Sequence, residues 1–191
     1  NSGRLCVAAT GPDDADGKKD GISANGAIYA LDLLPSGDKL AMVIAARYDF
    51  DGGTGSTPTV SNDGQRLYIT DENGNVMALD RELQEIWRIN VGEQVAASVA
   101  VSADNHELYV VTARDVFKLW DKGDHAELAW KAQLDVFPNH VNVNALTPTI
   151  TANGIAVSIG ASRELGENSL LMAAGFGLLD RDSGTVRGFV Q

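Results

Sequence analysis

Cysteine is almost missing from this sequence: Cys6 is the only one in 191 residues. That excludes an intramolecular disulfide framework and any zinc site built from several cysteines. Basic residues are scarce too. Fifteen Lys and Arg stand against twenty-six Asp and Glu, a net charge of −11, so the surface as a whole repels phosphate backbones and anionic headgroups. Nucleic acid is therefore not an expected partner. No apolar run reaches the roughly eighteen residues of a membrane-spanning helix, and Asn1-Ser2-Gly3-Arg4 is not the charged start of a signal peptide. There is also no HExxH, no glycine-rich phosphate loop and no GxSxG elbow to single out a nucleophile or metal centre. Five prolines against twenty glycines point to many tight turns.

What is present is self-similarity. TPTVSNDGQRLYITDENGNVMALD (57–80) aligns without a gap on SVAVSADNHELYVVTARDVFKLWD (98–121), pairing Leu67-Tyr68 with Leu108-Tyr109 and Asp80 with Asp121. A third copy begins with TPTITANGIAVSIG at Thr147 and ends with GFGLLD at Asp180. An incomplete one opens as RLCVAAT (4–10) and resumes as GAIYALD, ending at Asp32. Each copy holds short alternating runs rich in β-branched and aromatic residues, separated by Asn-Asp-Gly turn chemistry, as half-buried antiparallel strands require. In the best copy the runs are TPTVS, RLYIT, NVMALD and EIWRIN. Four strands at this spacing make one propeller blade.

The expected fold is all-β, a β-propeller of four-stranded antiparallel blades. Blade 1 spans 4–50, lacks its innermost strand and carries a long insertion at 11–25. Blade 2 spans 57–90, blade 3 spans 98–134, and blade 4 spans 147–191 with an insertion at 161–175. About four blades are present, short of a closed ring by one innermost strand. The run SLLMAAGFG (169–177) reads as a strand extension as readily as a short helix.

At the third and fourth strands the copies resemble repeats of the pyrroloquinoline-quinone-like (PQQ-like) β-propeller superfamily, whose pattern runs Ala-x-Asp, a Thr-Gly-Lys-like turn, then Trp. The matches are Ala78-Leu79-Asp80 with Trp87, Ala30-Leu31-Asp32 with Ser36-Gly37, Leu119-Trp120-Asp121 with Trp130, and Leu178-Leu179-Asp180 with Ser183-Gly184. Other families with four-stranded blades, the YVTN-like repeats among them, share the strand pattern. The resemblance implies that these Asp and Trp residues dock neighbouring blades. It implies an arc of a larger, seven- or eight-bladed propeller, completed by the remainder of a longer chain or by another subunit. It also implies a periplasmic or extracellular location.

In such blades the connections after the second and fourth strands emerge on one face, and here the long connections all belong to it: 11–25, 49–56, 136–145 and 161–169. Long connections on one face localise function. Asp13, Asp14, Asp16 and Asp20 are a calcium candidate, although EF-hand spacing is broken at Pro12 and no Glu closes the loop, so a solvated loop fits as well. Asp49 and Asp51 are a polar loop or an oxygen-ligand site. His140, Asn142 and Asn144 fall on one side of an extended segment and read as a hydrogen-bonding or ligand-binding set. Arg163 and Glu164, with Glu167 and Asn168, suit a charged ligand or a solvated insertion. Cys6 reads as a small core residue.

The function expected from these features is a propeller scaffold that binds a protein or carbohydrate partner through its loop-rich face, without an evident catalytic set. The alternative implied by the resemblance is a segment of a quinoprotein dehydrogenase using PQQ and calcium.

Overall fold

The computed structural model describes residues 4–11, 23–95, 97–134, 136–137, 141–143, 146–165 and 168–191. Every regular element among them is a strand, and every strand pairing is antiparallel. The first sheet has three strands, β1 (Leu5–Thr10), β2 (Asn25–Ser36) and β3 (Lys39–Asp51), in sequence order. The second follows as β4 (Thr59–Val60), β5 (Leu67–Thr70), β6 (Asn75–Leu79) and β7 (Glu85–Asn90), and the third as β8 (Ala100–Val101), β9 (Glu107–Val111), β10 (Asp115–Asp121) and β11 (Ala126–Gln133). In the fourth, β12 (Val141–Val143) and β13 (Thr149–Thr151) both pair with β14 (Gly154–Leu165), which is followed by β15 (Asn168–Leu179) and β16 (Val186–Val190). These are propeller blades, numbered 1 to 4 here in chain order.

The blades stack through the two-residue alternation of their strands. Leu67 and Ile69 of β5 join Ile28, Ala30 and Phe50 of blade 1, whereas Tyr68 between them joins Leu108, Val110 and Phe117 of blade 3. Both faces of β5 are thus covered, and all four of its residues are buried. Blade 3 does the same on its other side, where Tyr109 and Val111 pack with Ile155, Val157 and Ile159 of blade 4. A middle blade accordingly reads as a nearly continuous apolar run, because neither face meets water. Burying each such Leu or Ile side chain contributes about 1.5–3 kcal/mol.

Among the described residues, blade 1 packs against blade 2 and blade 4 against blade 3. Among the described residues, thirteen of the fifteen large apolar side chains that stand exposed lie in blade 1 or between Leu146 and Val190, and the middle blades supply only Val60 and Leu128. The most exposed include Leu40 (65%), Phe176 (69%) and Val190 (71%).

Two hairpins run longer than the repeat predicts. In blade 1 the pairing of β2 with β3 continues past Asp32 to Ser36↔Lys39, closed by a turn in which Gly37 takes φ +60°. In blade 4 the expected connection over 161–169 is largely ladder: β14 and β15 stay paired from Ile155↔Leu179 out to Leu165↔Asn168, with a bulge between Ala161 and Ser162. The run 169–177 is therefore strand throughout.

Candidate functional site

Three joints hold the blades in order, and each gathers charge around the Asp-containing turn of the following blade. At the joint of blades 2 and 3, Asp121 closes β10 with its side chain 2% exposed. Arg66 donates to both carboxylate oxygens at 2.5 Å, the Tyr68 hydroxyl donates at 2.7 Å, the Trp87 indole at 3.2 Å and the Gly123 amide at 2.8 Å. Burial alone would raise the Asp121 pKa, but these donors outweigh it and hold the carboxyl below its ordinary range. The same burial and the Asp121 charge push the Tyr68 hydroxyl far up, so it stays a donor.

The joint of blades 3 and 4 exchanges the charges, with the partner one residue beyond the repeat Asp. Glu107 occupies the repeat position of Arg66. It accepts from Lys118 at 2.8 Å, from the Tyr109 hydroxyl at 2.8 Å and from Arg181 of blade 4. Trp130 donates its indole to the Arg181 carbonyl at 3.0 Å. Burial again works against ionisation of Glu107, and Arg181, Lys118 and Tyr109 together prevail, leaving its pKa low. At the first joint Arg4, in the equivalent place on blade 1, binds Asp32 of its own blade at 2.8 Å and the Arg81 carbonyl of blade 2 at 2.9 Å. Asp80 and Asp180 each accept two turn amides, from Glu82 and Gln84 and from Asp182 and Ser183 respectively. The blade-docking role implied for these residues is visible as hydrogen bonds between blades for Asp121, Trp87 and Trp130, whereas Asp32, Asp80 and Asp180 bond within their own blades.

Because the strands alternate in direction, the turns holding these Asp residues share one face, and the connections after β1, β3, β5, β7 and β9 share the other. On that second face the tight turn 71–74 of blade 2 is a hub. The fully buried Asp71 accepts the Asn75 amide at 2.8 Å and the Asn75 side-chain amide at 2.6 Å. Glu72 accepts the backbone amides of Ser23 at 2.6 Å and Gly53 at 3.3 Å, and Asn73 donates to the Asp51 carbonyl at 3.0 Å. Gly74, at φ +82°, lets the 91–95 connection pass: a Cβ there would lie 2.6 Å from the Glu93 carbonyl oxygen. Ser23, just before β2, and the connection leaving blade 1 are therefore fastened to blade 2.

Beside this hub a cleft of about 410 Å³ opens on blade 1. Strand register builds it. Tyr29 of β2 stands opposite Arg47 of β3, and Ala27 opposite Asp49, so Arg47 sits 5.4 Å from the Tyr29 ring centre and donates to Asp49 at 2.5 and 2.8 Å. Thr10, Asn25 and Asp51 complete the polar wall. Asp49 and Asp51 are thus placed on one cleft. Tyr29 and Arg47 were missed by sequence reasoning; the Arg47-x-Asp49 spacing, which puts both side chains on one side of a strand, was the available signal.

The remaining expected site residues lie elsewhere. Asn142 is in β12, paired opposite Ala161. Arg163 is an exposed residue of β14 opposite Leu170, and Glu164 pairs with Ser169. These belong to blade 4, whereas Asp49 and Asp51 belong to blade 1. Asp13, Asp14, Asp16, Asp20, His140 and Asn144 lie outside the described residues. Two further clefts, of about 540 and 510 Å³, lie at the opposite face, between blades 1 and 2 near Arg4 and Cys6 and between blades 2 and 3 near His106 and Lys122. Cys6 packs against the core between blades 1 and 2, as expected of a small core residue, and that burial pushes its thiol up.

The PQQ-and-calcium alternative can be tested on this donor set. Among the described residues no three His, Cys, Asp or Glu side chains gather as metal ligands. Asp49 is already engaged by a guanidinium, and Cys6 has no second cysteine beside it. The described residues do not fit that cofactor pair.

No protein-family model and no curated protein sequence matches the chain. Solved structures do. BamB from Moraxella catarrhalis superposes with a TM-score of 0.53 at 15% identity over 96% of this chain and 50% of its own. A putative 6-phosphogluconolactonase from Bacteroides fragilis gives 0.53 at 16% identity, over 96% of this chain and 58% of its own. The quinohemoprotein alcohol dehydrogenase ADHIIG from Pseudomonas putida gives 0.54 at 17% identity, over 70% and 20%. The chain thus spans about half the length of the first of these. Four antiparallel blades, joined through Asp121, Trp87 and Trp130, and neighbours that include BamB and a quinohemoprotein alcohol dehydrogenase establish the fold as that of a β-propeller.

Proposed function

We propose that the chain is a binding module that holds a protein or carbohydrate ligand on its connection-rich face, at the cleft of blade 1. The observation that carries this reading is the combination found there: the Tyr29 ring, a guanidinium fixed above it, and the carboxylates of Asp49 and Asp51, all mounted on paired strands. An aromatic surface beside a few oriented polar groups is the general composition of a recognition site. The hub around Glu72 favours the same reading, since it fixes the connections bordering the cleft before a ligand arrives and lowers the ordering cost of binding.

The test is a glycan array and a displayed protein-fragment library screened with the full chain, followed by Arg47→Ala and Asp49→Ala. A retained ligand whose affinity drops at least tenfold in both variants supports the reading. No retained ligand from either screen, together with dye-linked alcohol oxidation after addition of PQQ and calcium, overturns it.

A further inference from the structure

The β2–β3 hairpin runs on past the blade it belongs to, with residues 32–36 still paired to 39–43 beyond Leu31. This extension is uncovered even toward blade 2. Leu34 lies on the side of Ala30, which packs on blade 2, yet Leu34 is half exposed although blade 2 is in place. The other side presents Leu40, Met42 and Ile44, the last two 58% and 63% exposed. Among the described residues no strand pairs along the outer edge of β3, the last strand of its blade. The last strands of the other blades carry charge there: Glu85 and Arg88 in β7, Glu127 and Lys131 in β11, and Arg187 in β16. Charge and proline are the usual guards of an open edge, and β3 has neither from Leu40 to Ala46. The bulge of its ladder falls at Ala45, so 39–44 is regular strand.

We infer that residues 40–44 of β3 pair antiparallel with the same residues of a second copy, making a two-fold dimer through the rim of blade 1. Symmetry and charge select this occupant. The axis of such a pair stands perpendicular to the sheet and passes through a residue, because directly opposed side chains point to the same side. Placed on Met42, it sets Leu40 opposite Ile44 and Ala41 opposite Val43, so an apolar side chain fills every position, and Lys39 falls opposite Ala45. Placed on Val43, it would set Lys39 opposite Arg47, a destabilising like-charge pair. Placed on Ala41, it would lay Asp38 and Lys39 against Ile44 and Val43. The strand that fits the open edge is thus uncharged, free of proline and apolar on both sides, and the chain supplies it itself. A net charge of −11 on each copy opposes association, so the backbone ladder and apolar burial hold the contact rather than ion pairs. The dimer forms whether or not the blade 1 cleft binds a ligand.

Sedimentation equilibrium of the full chain should show monomer and dimer in exchange, with the dimer tightening as salt screens the negative charge. Met42→Lys sets two cations face to face on the axis and should weaken dimerisation at least tenfold. Leu128→Lys, at an exposed apolar position of β11, should leave it unchanged. In a Cys6→Ala background, Met42→Cys brings two thiols within disulfide reach across the axis. It should cross-link under mild oxidation at least tenfold faster than Leu33→Cys, which lies opposite Met42 but on β2, one strand further from the axis. If Met42→Lys fails to fold, the cross-linking ratio decides. A chain that stays monomeric up to its solubility limit overturns the inference. So does a dimer that Met42→Lys leaves intact, which places the contact elsewhere, or equal cross-linking of the two cysteine variants.

Discussion

Arg66 of blade 2 reaches Asp121 of blade 3 at 2.5 Å, and the carboxylate it meets is also the acceptor for Tyr68 and Trp87 of its own blade. Three side chains of one blade thus converge on one side chain of the next. Since Asp121 is almost wholly removed from water, its hydrogen bonds decide whether burial there is tolerated, and the joint stands or falls as a unit.

Asp121→Asn keeps the shape and removes the charge. It should cost about 3 kcal/mol, the low end for removing one partner of a buried pair, because Arg66 remains and is a quarter exposed. Urea unfolding measures this as a lowered midpoint with an unchanged slope. A loss below about 1 kcal/mol would mean that the apolar core between blades 2 and 3 carries the joint alone.

Acid should unfold the chain through the same groups. Asp121 and Glu107 have folded pKa values below their ordinary ones. Their contribution is therefore fully present above the unfolded values of about 3.9 and 4.3 and is lost as pH falls through the folded values. Asp115 has the opposite sign: burial raises its pKa, although Lys131 opposes that shift, so its contribution is present at low pH and lost as pH rises through the folded value. Stability measured from pH 7 down to pH 3 should fall less steeply in Asp121→Asn than in the parent, and more steeply in Asp115→Asn.

The exchanged charges of the two joints predict a double-mutant result. Glu107→Arg sets a third cation beside Lys118 and Arg181 and should destabilise strongly; adding Arg181→Glu should return at least about 1 kcal/mol through direct coupling. Additive losses in the cycle would show that Glu107 and Arg181 do not act as a pair.

Gly74→Ala tests the hub. With φ at +82° and the Glu93 carbonyl in the way, alanine should cost about 2 kcal/mol and speed amide exchange at Ser23 and Gly53, which bond to Glu72 in the same turn. Gly64→Ala serves as the comparison: its φ is +69°, but nothing lies within 4 Å of the added Cβ, so exchange at Ser23 and Gly53 should be unaffected.

Much of this fold could be read before any coordinates. The offset between 57–80 and 98–121 reappears as two four-stranded sheets, and Tyr68 and Tyr109, aligned by that offset, occupy matching joints. The long hairpins were less legible. Leu33-Leu34-Pro35 stays paired because Met42, Ala41 and Leu40 lie opposite, a long-range registration that local turn chemistry at Asp32 does not encode. Similarly, 161–165 reads as a polar connection until its partner across the ladder is known. At the site, Asp49 and Asp51 stand out in the sequence as a polar loop or oxygen-ligand pair, but Tyr29 becomes relevant only through its register opposite Arg47. Cross-strand pairs of this kind are set by topology rather than by neighbours in sequence.

The most direct test of the proposed binding face is the amide-exchange footprint of a ligand retained from the glycan or protein-fragment screen. Protection should fall on residues 9–11, 25–29 and 47–51 when the ligand occupies the blade 1 cleft. Protection at 61–66, 80–84, 102–106 or 122–125, the turns of the opposite face, would contradict it.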